Sequence, residues 1–455
     1  MAGSHWLRCV LVLAMAVLGV QAIDIDISSE DSIKNAASIA AYGMMKHYKG
    51  NESGEIPGKI PNTWWEGGAM FMTLIQYYHY TGDSTYNSEV IQGMQWQAGD
   101  CDYMPANWSS YIGNDDQMFW GLAAMTGAEL NFPDTGTYSW LSLAQGVFNT
   151  QVARWDNTTC NGGMRWQIYT YESGYTMKNA ISNGGLFQLS ARLARYTGNN
   201  TYYEWAERIW NWSTTTPLLS NSTWNVADST STTNDCSTQG DDQWSYNYGA
   251  YLAGAAYMYN YTNGTGTKWS TAVSGLLNRT LDDFFPTSHG GYIMEEILCE
   301  PLEVCNDNEI IFKGLVSAWL AYTAYLVPST YDSILPKLQG SAKGAAATCT
   351  GYGNNTCGVR WWNSTWDGWS GLEEQMSVLS IFSVNMLPFT NSSAAPLTSS
   401  TGGNSTSDPS AGTDDSSKDK TTLSTITTGD RAGAGIVTVV FAAVWIGMIG
   451  WLMMG

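Results

Sequence analysis

The stretch Glu66–Tyr80, EGGAMFMTLIQYYHY, sets the architecture, because the chain returns to the same pattern five more times. Each segment of this kind carries small residues, glycine above all, and apolar residues cover most of its faces. A helix that is apolar all round is buried, whereas a helix with one polar stripe lies at the surface. The other five segments are DDQMFWGLAAMTGA from Asp115, SNGGLFQLSARLARY from Ser182, SYNYGAYLAGAAYMY from Ser245, NEIIFKGLVSAWLAY from Asn308 and GLEEQMSVLSIFSV from Gly371.

The segments start roughly 50 to 65 residues apart, which indicates an internal repeat. Turns at Thr81-Gly82 and Thr197-Gly198 end two of them, and a more amphipathic helix follows, such as Glu204–Asn211. With a leading helix at 31–48, the pattern predicts an all-α (α/α)6 toroid or barrel of six inner and six outer helices over residues 23–390. Short aromatic segments behind glycine are predicted as hairpin-like decorations of the cleft rim, at 162–171, 290–297 and 358–362.

The first residues indicate export. Arg8 precedes the apolar run Leu11–Val20 and a small-residue cleavage pattern, so residues 1–22 are predicted as a signal peptide. Many Asn-x-Ser/Thr sequons fit a secreted, glycan-covered surface. They include those at Asn51, Asn107, Asn157, Asn199, Asn211, Asn221, Asn278 and Asn363.

The other end indicates an anchor. Residues 391–429 are rich in Ser and Thr, which predicts an O-glycosylated stalk that cannot fold on its own. The apolar end Ile436–Gly455 has no charge and no trailing basic residue, and a small-residue spacer precedes it. Residues 430–455 are therefore predicted as a glycosylphosphatidylinositol (GPI) propeptide, attached at Gly429 and removed. The alternative is a tail-anchored helix.

The composition limits the classes of molecule that the protein is expected to bind. A net charge of -20 argues against nucleic acid and anionic membrane surfaces, so membrane contact is expected through the GPI lipid alone. The chain has 22 Trp and 26 Tyr, whose faces suit sugars, although a helical core also uses such residues as bulk. No cofactor is expected.

The cysteines agree with export but leave one unpaired. Once Cys9 leaves with the signal peptide, seven remain, so at least one is free or pairs outside the chain. Short spacing predicts the disulfides Cys299–Cys305 and Cys349–Cys357, while the partners of Cys101, Cys160 and Cys236 stay open. No metal site is expected, because the sequence has no C-x-x-C spacing and few histidines.

Two adjacent acids, Asp115 and Asp116, open the second segment within GNDDQ. One explanation is helix capping, because Asn114 is a favoured N-cap residue and Gln117 takes the capping-box position. The other is catalysis, because retaining glycosidases use two carboxyl groups about 5–5.5 Å apart, and repulsion keeps one of a close pair protonated. The sequence alone leaves four other acid pairs as candidates for the catalytic role. They are Asp241-Asp242 (also followed by Gln and an aromatic residue), Asp282-Asp283, Glu295-Glu296 and Glu373-Glu374.

Other reaction classes lack their motifs. The mature chain has no G-x-S-x-G elbow, no Walker loop and no dinucleotide fingerprint. A serine triad would depend on one of only three scattered histidines, His47, His79 and His289.

Three stretches together resemble glycoside hydrolase family 76, and within it the fungal cell-wall branch of GPI-anchored mannan endo-1,6-α-mannosidases. They are WWEGGAMFMTLIQYYHYTGDSTYN at 64–87, GNDDQMFWGLAAMTGAE at 113–129 and NGGMRWQIYTYESGYTMKNAISNGGLFQLSARLARYTGN at 161–199. The resemblance implies an (α/α)6 barrel with Asp115 as nucleophile and Asp116 as general acid/base. The chain departs from the family at Gly185, where a cysteine is expected, which puts the partner of Cys160 in doubt.

Further cleft residues are predicted from their position in loops that lead into inner helices, and each has an alternative role as a cap or core residue. The predicted substrate-binding set is Trp64, Trp65, Asn114, Gln117, Asn183, Asp242, Trp244 and Asn247. Glu295 and Glu296 are reserve candidates for the acid chemistry.

The resemblance leaves two enzyme functions open. One is hydrolysis of α-1,6-mannan. The other, which we favour, is transglycosylation, in which the mannose core of a GPI glycan is cut and the protein is passed to a wall polysaccharide, with glucan as an acceptor. A third function is a non-catalytic mannan-binding wall protein. We expect a monomer at the outer leaflet of the plasma membrane and in the cell wall.

Overall fold

A computed structural model of the protein describes residues 22–61, 63–390 and 395–413, together with Thr438 and Met448. These residues contain twelve α-helices, and all six glycine-marked segments are among them. The segments form the inner helices α2 (Trp65–Thr81), α4 (Asn114–Glu129), α6 (Ala180–Thr197), α8 (Ser245–Tyr261), α10 (Asp307–Leu326) and α12 (Leu372–Val384).

The six remaining helices lie outside the first set, each packed against an inner helix. Most of them bury one side, as their amphipathic sequences require; α7 (Asn200–Thr215), for example, buries Tyr202, Ala206 and Ile209. The exception is α5 (Trp140–Ala153), which is buried on almost all sides. The outer helices are α1 (Glu30–Met45), α3 (Asn87–Trp96), α5 (Trp140–Ala153), α7 (Asn200–Thr215), α9 (Lys268–Phe284) and α11 (Tyr331–Thr348).

The inner helices form a closed ring. Each packs on the next in chain order, and α12 packs back on α2, which confirms the predicted (α/α)6 barrel. Glycine permits the close contacts between neighbours. A Cβ atom at Gly314 of α10 would lie 2.8 Å from Ser377 Cα of α12, and one at Gly68 of α2 would lie 3.0 Å from the Trp120 backbone nitrogen of α4. A larger residue at either position would force these helices apart.

The rim contains less strand than predicted. Two short strands, β1 (Met177–Asn179) and β2 (Ser229–Ser231), pair antiparallel with Met177 opposite Ser231. The predicted hairpins at 162–171, 290–297 and 358–362 are wrong, because none of these segments forms a strand. The first of them instead follows the loop before α4, with an isolated bridge between Gln167 and Gly113.

Three disulfides within the described part of the chain fix the loops at the rim. The predicted Cys299–Cys305 and Cys349–Cys357 bridges are confirmed, and Cys160 pairs with Cys236 across 76 residues. Cys101 is free and buried, which accounts for the odd cysteine. Gly185 does not need to be a cysteine for the Cys160 pairing. A Cβ atom there would lie 2.3 Å from Met118 Cε, so a cysteine at this position would require the Met118 side chain to move.

Residues 395–413, here called the strap, lie along the barrel. The prediction of a stalk from residue 391 is therefore wrong for this part. The strap begins beside the C-terminal ends of inner helices, where Arg195 Nη1 donates to Pro396 O at 2.8 Å and Leu397 N–H donates to Glu129 O at 2.9 Å. It then follows α5, where Asn149 Nδ2 donates to the carbonyl oxygens of Pro409 and Ala411, each at 2.9 Å.

Composition misled the prediction because the strap is held by polar contacts rather than by an apolar core of its own. Gln145 of α5 bonds to Ser407 Oγ at 3.0 Å and accepts the Asp408 N–H at 2.7 Å. Ala411 is 5% exposed. The strap also forms part of the wall beside Cys101, since Cys101, Asp408 and Ala411 line one cavity of about 770 Å³.

The predicted ends of the chain fall mostly outside the described residues. These include residues 1–21 of the signal peptide, residues 414–429 of the stalk with Gly429, and all but two residues of the GPI propeptide. In the part of the chain that the structure describes, no helix is both long enough and apolar enough to cross a membrane.

The strap should stabilise the barrel. We expect a chain that ends at Thr390 to melt about 5 °C or more below a chain that ends at Thr413, because it loses several hydrogen bonds of about 0.5–1.5 kcal/mol each. The shorter chain should also expose the Cys101 thiol. Thermal melting and maleimide labelling of Cys101 measure the two effects. Equal melting temperatures with an unreactive thiol in both chains would contradict a structural role for the strap.

Candidate active site

The N-terminal ends of several inner helices meet around one cleft of about 390 Å³, as the repeat predicts. Residues at the starts of α2, α4, α8 and α10 line it, and Asp115 and Asp116 lie among them. Most of the remaining lining is aromatic. The aromatic residues are Trp64, Trp65, Trp108, Tyr111, Phe119, Trp166, Tyr246 and Phe312.

The acid pair is held by the start of α4. Gly113 is the N-cap residue, and its N–H donates to Asp116 Oδ2 at 2.7 Å. Asp115 accepts the Asp116 N–H at Oδ1, at 3.0 Å, and the Asn179 side-chain amide at Oδ2, at 3.4 Å. Sequence placed the cap at Asn114 and the returning bond at Gln117. Both assignments are wrong by one residue, because the helix begins at Asn114.

Burial keeps a proton on the pair. It raises the pKa of Asp115 well above the ordinary value, and the neighbouring Asp116 carboxylate raises it further. Burial also raises the pKa of Asp116 to about 6, against the opposing effect of the Gly113 N–H. Between about pH 6 and the higher pKa of Asp115, the two groups therefore hold one proton between them. The Gly113 N–H favours the anion on Asp116, which leaves the proton on Asp115 in the unliganded protein.

A partly buried arginine, Arg154, positions the residues on both sides of the pair. Arg154 Nε donates to Asn114 Oδ1 at 2.8 Å, and Arg154 Nη2 donates to Gln117 Oε1. Burial lowers the pKa of Arg154 to about 10, so the guanidinium remains charged at neutral pH. Gln151 Nε2 also donates to Asn114 O at 2.6 Å. Asn114 and Gln117 are 2% and 0% exposed, so the structure gives them a supporting role in place of the predicted sugar contact.

Trp64 and Trp65 line the cleft, where the sequence predicts them. Trp65 Nε1 donates to Asn308 Oδ1 at 2.7 Å, and the Trp65 ring lies 4.5 Å from Phe119. The Trp64 ring stacks on Trp120 at 5.2 Å. Both indoles therefore have fixed orientations before any ligand binds.

Four other predicted residues do not line the cleft. Asn183 is buried, and its Nδ2 donates to Met164 O at 3.0 Å and to the carbonyl of Asn179, the residue that contacts Asp115, at 2.9 Å. Asn247 is buried and bonds to Asp228. The remaining two are Trp244, which packs edge-on against Phe312, and Asp242, which is exposed.

The reserve acids also lie outside the cleft lining. Glu295 Oε2 is 3.0 Å from His289 Nε2, and Glu296 accepts the Ser245 N–H at 3.3 Å. Glu296 is fully buried, so its carboxyl group contacts only the protein.

Sequence reasoning missed much of the aromatic lining. Tyr246 and Phe312 stack in parallel at 3.7 Å, although both belong to segments recognised as inner helices. Trp166 comes from the GGMRWQ segment, which was assigned to the rim without a role for its side chain. The glycine pair before it was the available signal, because it marks a sharp turn close to the cleft.

Several buried glutamates should make the fold acid-stable. Burial raises the pKa values of Glu66 to about 9, and of Glu296 and Glu374 to about 8. An unfolded glutamate titrates near pH 4.3. Between these values the folded state binds more protons than the unfolded state, so the free energy of unfolding falls as pH rises.

We therefore expect the melting temperature to fall steadily from pH 5 to pH 8. Glu374→Gln should flatten this dependence, because an amide needs no proton in the same buried position. The matched control is Glu204→Gln on the exposed side of α7. Thermal melts of the three proteins across this pH range provide the measurement, and a melting temperature that rises with pH would refute the assignment.

Residues 32–400 match glycosyl hydrolase family 76. Mannan endo-1,6-alpha-mannosidase DCW1 of Candida albicans is 43% identical over 453 residues, which cover 98% of this chain and 99% of that protein. The DCW1 protein of Saccharomyces cerevisiae is 43% identical over 438 residues, which cover 95% of each chain.

The chain is also similar to solved structures. Dfg5 from Chaetomium thermophilum, in complex with glucosamine, has a TM-score of 0.82 at 41% identity and covers 87% of this chain and 99% of its own. An inactive double-aspartate variant of the α-1,6-mannanase GH76A from Salegentibacter, in complex with α-1,6-mannotriose, shares the fold with a TM-score of 0.63 at 16% identity, over 78% of this chain and 99% of its own. By its match over residues 32–400 and by these relatives, the chain belongs to glycosyl hydrolase family 76.

Proposed function

We propose that the protein is a retaining glycosidase that acts on α-1,6-linked mannose. The observation that carries the proposal is the adjacent pair Asp115 and Asp116, which share a proton at the bottom of a cleft lined by aromatic rings. Retaining glycosidases need one ionised and one protonated carboxyl group. The linkage comes from the relatives named mannan endo-1,6-alpha-mannosidases.

The two acids take different roles in this reaction. An Asp115 oxygen attacks the anomeric carbon, and Asp116 gives a proton to the departing glycosidic oxygen, so a mannosyl ester forms as the glycosidic bond breaks. Asp116 then takes a proton from water, which attacks the same carbon and releases Asp115. The unliganded site holds the proton on Asp115, so these roles require its transfer to Asp116 when substrate binds.

Transfer to a second sugar is the favoured form of this function. A sugar hydroxyl can replace water in the second step, so the mannose core of a GPI glycan becomes joined to a wall glucan. The predicted export and anchor signals favour transfer, because they place the enzyme beside both glycans.

The acid pair can be tested with four amide variants. Asp115→Asn should form no glycosyl-enzyme even from an activated fluoride donor. Asp116→Asn should still be loaded by that donor, but its turnover should wait for an added anion such as azide. Asp241→Asn and Asp242→Asn should keep the chemical step, because both residues are exposed. Activity on an α-1,6-mannoside and melting temperature are measured for all four.

The alternative outcomes are distinct. Azide rescue of Asp115→Asn instead of Asp116→Asn would exchange the two roles. Full activity of both variants would refute catalysis by the pair. A wild-type protein that binds α-1,6-mannotriose but turns over no mannoside would be a mannan-binding protein.

Arg154 should matter through the residues that it positions. We expect Arg154→Met to lower kcat about 100-fold with little change in KM, because the start of α4 loses the donor that fixes both flanking side chains. Arg154→Lys, which keeps one charged donor, should lose less. Arg208→Met on the exposed surface of α7 is the matched control. Unchanged kcat in a folded Arg154→Met protein would contradict this role.

A further inference from the structure

A second groove adjoins the cleft. Its cavity measures about 450 Å³ and shares Trp166 with the catalytic cleft, so one indole separates the two spaces. We call it the Trp166 groove. Its floor comes from β1, β2 and the turn at 238–240, and none of the described residues that line it is charged.

The shared wall is built into the catalytic loop. Trp166 N–H donates to Met177 O of β1 at 2.8 Å, and Trp166 O accepts the Asn114 N–H at 2.9 Å. A single residue thus connects the floor of the groove to the start of α4, where the acid pair lies. Gly174 has φ +92°, and a Cβ atom there would lie 2.3 Å from the Trp166 ring, so glycine leaves the space that the indole occupies.

The groove offers polar groups that the protein itself does not use. The hydroxyls of Ser173, Thr176 and Ser229 and the amide of Gln239 make no hydrogen bond to the described residues. Uncommitted hydroxyl and amide groups beside an aromatic ring, in a lining without charged residues, suit a neutral carbohydrate. A phosphate-bearing glycan would find no cation among the residues that line the groove.

We propose that the Trp166 groove binds the acceptor glycan, a neutral wall polysaccharide, while the mannosyl donor occupies the cleft. This inference rests on the transfer function proposed above. Both cavities fall in the range of about 300–1,000 Å³ typical of ligand sites, so each can hold its own glycan. Two sites explain how a sugar hydroxyl reaches the intermediate ahead of water.

The transfer step needs no further reactant. An acceptor hydroxyl oxygen attacks the anomeric carbon of the mannosyl ester on Asp115. A new glycosidic bond forms as the ester bond breaks, and the hydroxyl proton passes to the Asp116 carboxylate. The proton that Asp116 gave to the leaving group is thereby restored.

Filling the groove tests the inference. Gly240 forms part of its edge, and a Cβ atom there would lie 3.4 Å from Ser229 Oγ, which is an ordinary contact. Gly240→Phe should therefore fold while its ring occupies the groove. Gly240→Ala is the matched control, because it makes the same backbone change and leaves the groove open.

Binding is measured by calorimetry with two probes, a linear β-glucan oligosaccharide and α-1,6-mannotriose. We expect Gly240→Phe to weaken glucan binding about tenfold or more, the equivalent of about 1.4 kcal/mol, while mannotriose binding stays unchanged. Gly240→Ala should bind both probes like the wild type. The ratio of transfer to hydrolysis should fall by a similar factor in Gly240→Phe alone.

Other outcomes overturn the inference. They are a wild-type protein that does not bind the glucan, a Gly240→Phe variant that binds it normally, and a variant that loses both probes together. If the Gly240→Phe change weakens glucan binding but the wild type forms no transfer product, the groove is confirmed as a glucan site and the proposed transfer function is refuted. Should Gly240→Phe not fold, the double variant Ser229→Ala with Gln239→Ala removes two polar contacts and decides the same question.

Discussion

The burial of two adjacent carboxyl groups at the start of α4 is the constraint on which the rest of the site depends. Ionising both groups away from water would cost a large free energy. Their neighbours must therefore hold the two groups in place and stabilise one of them as an anion. The Gly113 N–H stabilises the anion, because it donates to Asp116 Oδ2. Gln151 of α5 and Arg154, the C-cap residue after α5, hold the pair in place by fixing the backbone and side chains beside it.

The ring of inner helices explains why that constraint is met at one end of the barrel. Six repeated helices that run in the same direction bring their N-terminal ends together, and each end carries unsatisfied N–H groups and a partial positive charge. Acids gather there for this reason, in catalytic and structural roles alike. Asp115 and Asp116 reach the cleft, whereas Glu66 and Glu374 start α2 and α12 as buried residues.

The sequence predicted those features that depend on local pattern. Glycine-marked apolar segments gave the helices, and short cysteine spacing gave two disulfides. It failed where tertiary contacts decide a side chain's direction: Gln117 and Asn183 lie on the predicted helices but point into protein. Composition also failed for the strap, since Ser and Thr signal disorder unless helix ends and an outer helix supply partners, as Gln145 does.

Catalytic chemistry and stability then have the same physical cause. Burial keeps a proton on the acid pair, which the proposed reaction needs, and burial equally keeps protons on Glu66, Glu296 and Glu374. Raising the pH withdraws protons from both sets, so the site loses its acid as the fold loses stability. A more open cleft would ionise the pair and remove the proton donor, but it would leave the three glutamates buried, because none of them lines the cleft. Activity thus needs a pH at which one acid of the pair is neutral and the other is ionised, whereas the fold is most stable where the buried glutamates stay neutral.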